Sequence, residues 1–173
     1  MSEGSRVIVG VNGSLSSLAA VYRAVEEASR RDATLVPVIA WSSTDDDRLR
    51  PLSELEHTAR RRLDTVFEQA FGGYPHDVVI RPLVVRADAG HALVATADRP
   101  TDLLVVGSGR HGRLRHALHG SVTRYCRAHA VCEVLVISPS VLLDSLELTA
   151  RSGAPMPFLL GHRWTAHHPA TTA

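Results

Sequence analysis

The stretch from Asp102 to Ile137, DLLVVGSGRHGRLRHALHGSVTRYCRAHAVCEVLVI, constrains the fold more than any other part of the chain. An apolar run, Leu103 to Val106, leads into a segment with glycines at 107, 109, 112 and 120. Ser121 then opens a helical segment, and a second apolar run, Val134 to Ile137, follows. Strand, glycine loop, helix and strand make the βαβ unit of a parallel sheet, since parallel neighbours need a crossover connection. Ligands of such sheets bind beyond the carboxyl ends of the strands, where this loop is expected.

The preceding residues repeat the same alternation. Arg6 to Val11 is a β-branched run without a polar face, which suits a strand buried on both sides. Asn12-Gly13-Ser14 turns the chain, and Ser14 or Ser16 can cap the helix that follows. That helix buries Ala20, Val21, Ala24, Val25 and Ala28 at helical spacing. Thr34 to Trp41 is a second strand, in which Pro37 is awkward for a central position because it has no ladder donor. Ser53, with Glu56 three residues on, has the capping-box pattern and is expected to open the next helix. Leu55, Ala59, Leu63, Val66, Phe67 and Ala70 form its apolar face, and Gly72-Gly73 ends it. Val78 to Val85 reads as a third strand carrying Pro82, so at least one of the two proline-bearing strands should lie at an edge. A short helix, Ala89 to Ala97, turns Leu93, Val94 and Ala97 inward. The fold class is therefore α/β, with a parallel sheet and helices on both faces. One domain over residues 1–139 is expected. A tail over 140–173 is expected to be largely disordered, unless Phe158, Leu159, Leu160 and Trp164 dock it.

Composition narrows the function. A net charge of +1, with the arginines spread along the chain, argues against bulk nucleic-acid binding and against a membrane surface. No apolar stretch approaches the ~20 residues of a membrane span. MSEGSRVIVG lacks a signal pattern, and Cys126 and Cys132 make no disulfide framework, so a cytoplasmic setting is expected.

Gly120-Ser121 stands where a helix begins, with unpaired backbone N–H groups and a positive dipole end, and Arg110, Arg113 and Arg115 add charge nearby. An anion is one occupant for such a loop, and plain turn chemistry is the other. There is no Walker-type GxxxxGK[ST], and GVNGS is not a GxGxxG dinucleotide fingerprint. His111, His116 and His119 do not have the spacing of a common zinc motif, and Asp45, Asp46 and Asp47 lack the glycine of an EF-hand loop. Asp88, His91 and Ser108 come without the GxSxG elbow of a hydrolase.

Two segments, VIVGVNGSLSSLAAVYRAVEEA and LLVVGSGRHGRLRHALHGSVTRYCRAHAVCEVLVI, carry a family resemblance. Over about Arg6 to Ser138 the chain resembles a single-domain universal stress protein. The resemblance implies a Rossmann-like, open parallel five-stranded sheet of order 3-2-1-4-5. It also implies a homodimer joined through the last strand, Val134 to Ile137. The family's ATP-binding branch is similar to G-x2-G-x9-G-[ST], which by length places its first glycine on Gly107 and its last pair on Gly120-Ser121. Its second glycine falls on Arg110, and the aspartate that follows the first strand is here Asn12. What the resemblance implies is ATP or a related adenine nucleotide, with magnesium only alongside it. The residues so implied are Val11, Asn12, Ala40, Gly107, Ser108, Arg110, Gly120, Ser121 and Val122.

Arg110 can either obstruct a backbone that hugs phosphate or pair with that phosphate. Asn12 keeps an acceptor oxygen but not the charge. Three functions stay open at this point. The first is a nucleotide-binding stress sensor or regulator. The second is a dimeric interaction protein that has lost ATP binding. The third is a slow ATPase, for which no base or metal site is evident.

Overall fold

The computed structural model describes residues 4–43, 50–108 and 122–139. The sequence readings at Asp45 to Asp47, in 109–121 and in the tail 140–173 lie outside them. The described elements run β1 (Arg6–Gly10), α1 (Leu15–Arg31), β2 (Thr34–Trp41), α2 (Leu52–Phe71) and β3 (Leu83–Arg86). They continue with α3 (Ala89–Thr96), β4 (Leu103–Gly107), α4 (Val122–His129) and β5 (Glu133–Ile137). All five strands are parallel, in the order β3-β2-β1-β4-β5.

The unbroken apolar runs are explained by burial on both faces. Odd-numbered Val7, Val9, Leu35, Leu103 and Val105 enter one core, under α1 and α2. Even-numbered Ile8, Val36, Val38, Leu104 and Val106 enter the other, with Leu93 of α3 and Cys126 of α4. On the first face Phe67 is fully buried, stacked on Tyr74 at 4.6 Å and beside Phe71. Small residues, Ala20, Ala24 and Ala28, form the buried stripe of α1 and let it lie close to β1 and β4.

Helix ends follow local chemistry. Ser14 caps α1 by accepting from the Ser17 N–H, and Arg30 and Arg31 sit at its negative carboxyl end. Glu27, 3% exposed, is held by Arg23, Arg30 and Arg31, which is how a carboxylate survives burial on that helix. Gly72, at a φ of 71°, closes α2 in the left-handed region.

Two expectations need correction, and the edge position expected for one proline-bearing strand falls to β3. The Ser53–Glu56 capping box does not form: α2 starts earlier, at Leu52, with Pro51 as its cap and the Pro51 carbonyl accepting from Glu54 and Leu55. The third strand is shorter than Val78–Val85. A bridge at Leu35↔Ile80 precedes a break, and regular pairing starts at Val38↔Leu83. Pro37, in turn, is in an interior strand and fully buried. Leu35 bonds towards the β3 side and Val38 towards β1, so the missing Pro37 donor points to the β3 side. There it falls in the gap that also contains Pro82, on the edge strand, and costs no regular pairing.

At the amino ends of β1 and β4 the Arg6 guanidinium forks onto Asp102, which is 3% exposed, and also reaches Asp98 and the Thr96 carbonyl. Two hydrogen bonds to one carboxylate give the fixed geometry that such a buried pair needs.

Candidate functional site

The carboxyl ends of β1 and β4 are built differently. Both strands finish in glycine, and each glycine admits a neighbour that a side chain would exclude. A Cβ on Gly10 would meet the Leu93 side chain at 3.0 Å. A Cβ on Gly107 would lie 2.5 Å from the Ser16 carbonyl oxygen, so β4 runs directly against the first turn of α1. Thr123 donates to the Gly107 carbonyl at 2.8 Å and fastens the start of α4 to the same point.

Between β1 and α1 the chain turns through Asn12 and Gly13, the latter at a φ of 77°. The turn is tied by its own polar groups. Asn12 Oδ1 accepts from the Ser14 N–H at 2.9 Å, and the Asn12 N–H donates to Ser17 Oγ at 3.3 Å. Ser17 Oγ donates in turn to the Ser14 carbonyl, and the Ser14 and Ser16 hydroxyls share a hydrogen bond at 3.1 Å. Each side chain that could swing into the opening is thereby held at its wall.

These walls enclose a cleft of about 270 Å³. One side is apolar: Val38 and Ala40 from β2, Leu93 from α3, and Val106. The other carries Asn12, Ser16, Ser17 and Thr123 around Gly107. An apolar slot beside a rim of hydrogen-bonding groups suits a flat heterocycle carrying a polar substituent. No acidic side chain lines the cleft among the described residues, so the carboxylates by which magnesium is usually held are missing from these walls. Among the described residues the lining side chains therefore offer amide and hydroxyl oxygens only.

Of the residues implied by the sequence, Val11, Asn12, Ala40, Gly107 and Val122 line this one cleft. Ser108 lies beside it, its N–H donated to the Ile137 carbonyl at 2.8 Å. Arg110, Gly120 and Ser121 lie outside the described residues. Ser16, Ser17, Ala89, Leu93 and Thr123 also line it and were not read as site residues from sequence. Leu93 reads there as an inward helix residue like any other, and only the crossing of α3 over β1 makes it a wall.

Other candidates resolve differently. His91 packs on the Tyr125 ring at 4.6 Å, and Tyr125 stacks on His129 at 4.1 Å. Cys126 is buried and free, and burial pushes its thiol up to about 11, with Cys132 adding to the shift. A thiol so shifted is protonated and unreactive at neutral pH. Among the described residues no three His, Cys, Asp or Glu side chains are placed to hold a metal, and no helix is long and apolar enough to cross a membrane.

Known proteins match this chain along most of its length. The model of the universal stress protein family matches residues 4–138. A universal stress protein of Mycolicibacterium smegmatis is 33% identical over 137 residues, 77% of this chain. The matched stretch spans 45% of that relative's length. A universal stress protein solved in complex with cAMP is 28% identical, with a TM-score of 0.54, over 79% of this chain and 98% of that one. The universal stress protein UspA of Lactobacillus plantarum shares the fold, at a TM-score of 0.60 and 20% identity, over 79% of this chain and 99% of that one. With the strand order, the end-of-strand cleft and the match over residues 4–138 in agreement, the chain belongs to the universal stress protein family.

Proposed function

We propose that this chain is a cytoplasmic stress-response sensor or regulator that takes an adenine nucleotide, ATP first, in the cleft between Asn12, Ala40, Leu93 and Gly107. The observation that carries the reading is the cleft itself. Its apolar slot is set by β2 and α3, and its polar rim by the first turn of α1. Adenine lies against Val38 and Ala40, and the phosphates face Gly107 and the start of α4. A relative of the same fold at 28% identity was solved with cAMP, which supports an adenine ligand. Two copies associate through β5, an edge strand among the described residues, whose Val134 to Ile137 are only half-buried in the single chain. Any hydrolysis is slow, since no carboxylate or histidine lines the cleft among the described residues.

Calorimetric titration of ATP and of cAMP tests the reading. Saturable binding is expected, and Ala40→Phe, which fills the slot, should weaken it at least about tenfold, a change of ~1.4 kcal/mol. No binding by folded protein at millimolar nucleotide overturns the reading and favours a ligand-free interaction protein.

A further inference from the structure

We propose that the carboxyl-terminal segment Phe158 to Trp164 of this same chain docks in the apolar side of the cleft, with the Trp164 indole in the slot, and competes there with nucleotide. The occupancy stands on the cleft and the sequence. The competition rests on the nucleotide reading above.

The cleft supplies the first part of the argument. Val38, Ala40, Leu93 and Val106 make one side of it apolar. No charged side chain lines it among the described residues, so an uncharged segment enters without burying a charge of the wall. Apolar surface continues beside it. Val122, a lining residue, is 38% exposed, and Leu15, next to the lining residue Ser16, is 63% exposed. Apolar side chains left in water around a concave apolar site mark a place where something docks.

The second part is where the chain leaves the sheet. Ile137, the last residue of β5, is paired with Gly107, and its carbonyl accepts from the Ser108 N–H. Gly107 lines the cleft. The chain therefore departs one strand spacing, about 5 Å, from the cleft wall, at the same edge of the sheet. Residues 140–173 follow, outside the described residues. The ~19 residues from Pro139 to Phe158 can span up to roughly 60 Å, so reach is not limiting. A tether of such length sets the local concentration of its end on the order of millimolar, at which a weak contact already forms.

Composition selects the segment. Beyond Glu147 the chain has no acid, and Phe158, Leu159, Leu160 and Trp164 bring its large apolar side chains together. Indole is a flat bicycle with an apolar face and one N–H at its edge. It offers the slot the shape and the polar edge that a purine offers. Thr123 Oγ1 donates to the Gly107 carbonyl and keeps its acceptor lone pairs for that N–H. The other tryptophan, Trp41, packs against the core on the opposite face of the sheet.

The test uses the full chain. Trp41→Phe leaves Trp164 as the one tryptophan, so its emission without nucleotide reads the segment directly. Emission shielded from water and from acrylamide is expected. Ala40→Phe, which fills the slot, should turn it into that of an exposed indole. Val122→Glu, at a half-exposed position that folding tolerates, should do the same. Emission of an exposed indole in the parent overturns the proposal. Shielded emission that ignores both cleft variants places the segment elsewhere and overturns it too. A shift to the red on dilution assigns the occupant to a second copy and overturns docking within one chain. Competition is read by calorimetric titration of ATP into the natural chain and into Trp164→Ala. A cleft filled in about two thirds of molecules raises the apparent Kd about threefold, so Trp164→Ala should bind about threefold more tightly. Equal affinities overturn the competition. Absence of binding by both chains overturns the nucleotide reading, while the Trp164 emission still decides the occupancy.

Discussion

Strands β1 and β4 lie side by side at the centre of the sheet, and their two ends have opposite chemistry. At the amino ends Arg6 forks onto Asp102, with Asp98 alongside, and the strands are locked by charge. At the carboxyl ends both strands finish in glycine, and among the described residues the opening they leave is lined by neutral groups. The contrast separates two tasks within one pair of strands. Fixed charge holds register where nothing has to enter. Missing side chains make room where something does.

Removing the lock should have the largest effect. Arg6→Ala leaves the Asp102 carboxylate buried without its partner, and should cost about 3 kcal/mol in urea unfolding. Nucleotide affinity of the folded fraction should not change. A parallel loss of affinity would show that the two ends are coupled and would break the comparison.

At the open end, Gly107→Ala forces a methyl group against the Ser16 carbonyl. A stability loss of about 1–3 kcal/mol is expected, smaller than that at the lock or similar to it. Here binding should fall as well, by about tenfold or more, because the first turn of α1 has to move. Unaltered affinity in this variant would detach Gly107 from the site.

The smallest effect concerns acid. The Arg6 hydrogen bond holds the exposed Asp98 carboxyl below its usual value. Because the folded value is depressed, this contribution is present above the unfolded value, near pH 4, and is lost as pH falls through the folded one. Urea midpoints followed downward from about pH 5 should therefore fall less steeply in Asp98→Asn than in the natural chain. Identical acid limbs would show that the bond adds nothing measurable at this exposed position.

The strands were legible because each is an apolar, β-branched run too short for a helix, and the glycine pair at 72 and 73 marked a helix end that the backbone confirms. The two prolines placed one strand at an edge, and β3 is there, but that Pro37 is tolerated inside the sheet is something sequence does not show: whether a missing donor matters depends on which neighbour it faces, and that is set by register with β3. Ser53 misled because a backbone carbonyl, Pro51, began the helix first. In the cleft, Gly107 could be read from its place at a strand end, while Val11 and Asn12 were implied by the family resemblance. Leu93 and Ala89 could not, since their wall exists only once α3 crosses the sheet. Thr123 gave no signal either, because its partner is a carbonyl 16 residues away.

The Gly107–Ser16 contact also bears on how such a cleft can change over generations. Backbone meets backbone there, so no side chain can be added at Gly107 without displacing the first turn of α1. That floor is closed to gradual substitution. Ala40, Val38 and Leu93 line the opposite wall, and their side chains can be enlarged, trimmed or made polar one step at a time. A lineage bearing this fold would keep the floor and explore new ligands from the β2 and α3 side, where heredity has room to experiment.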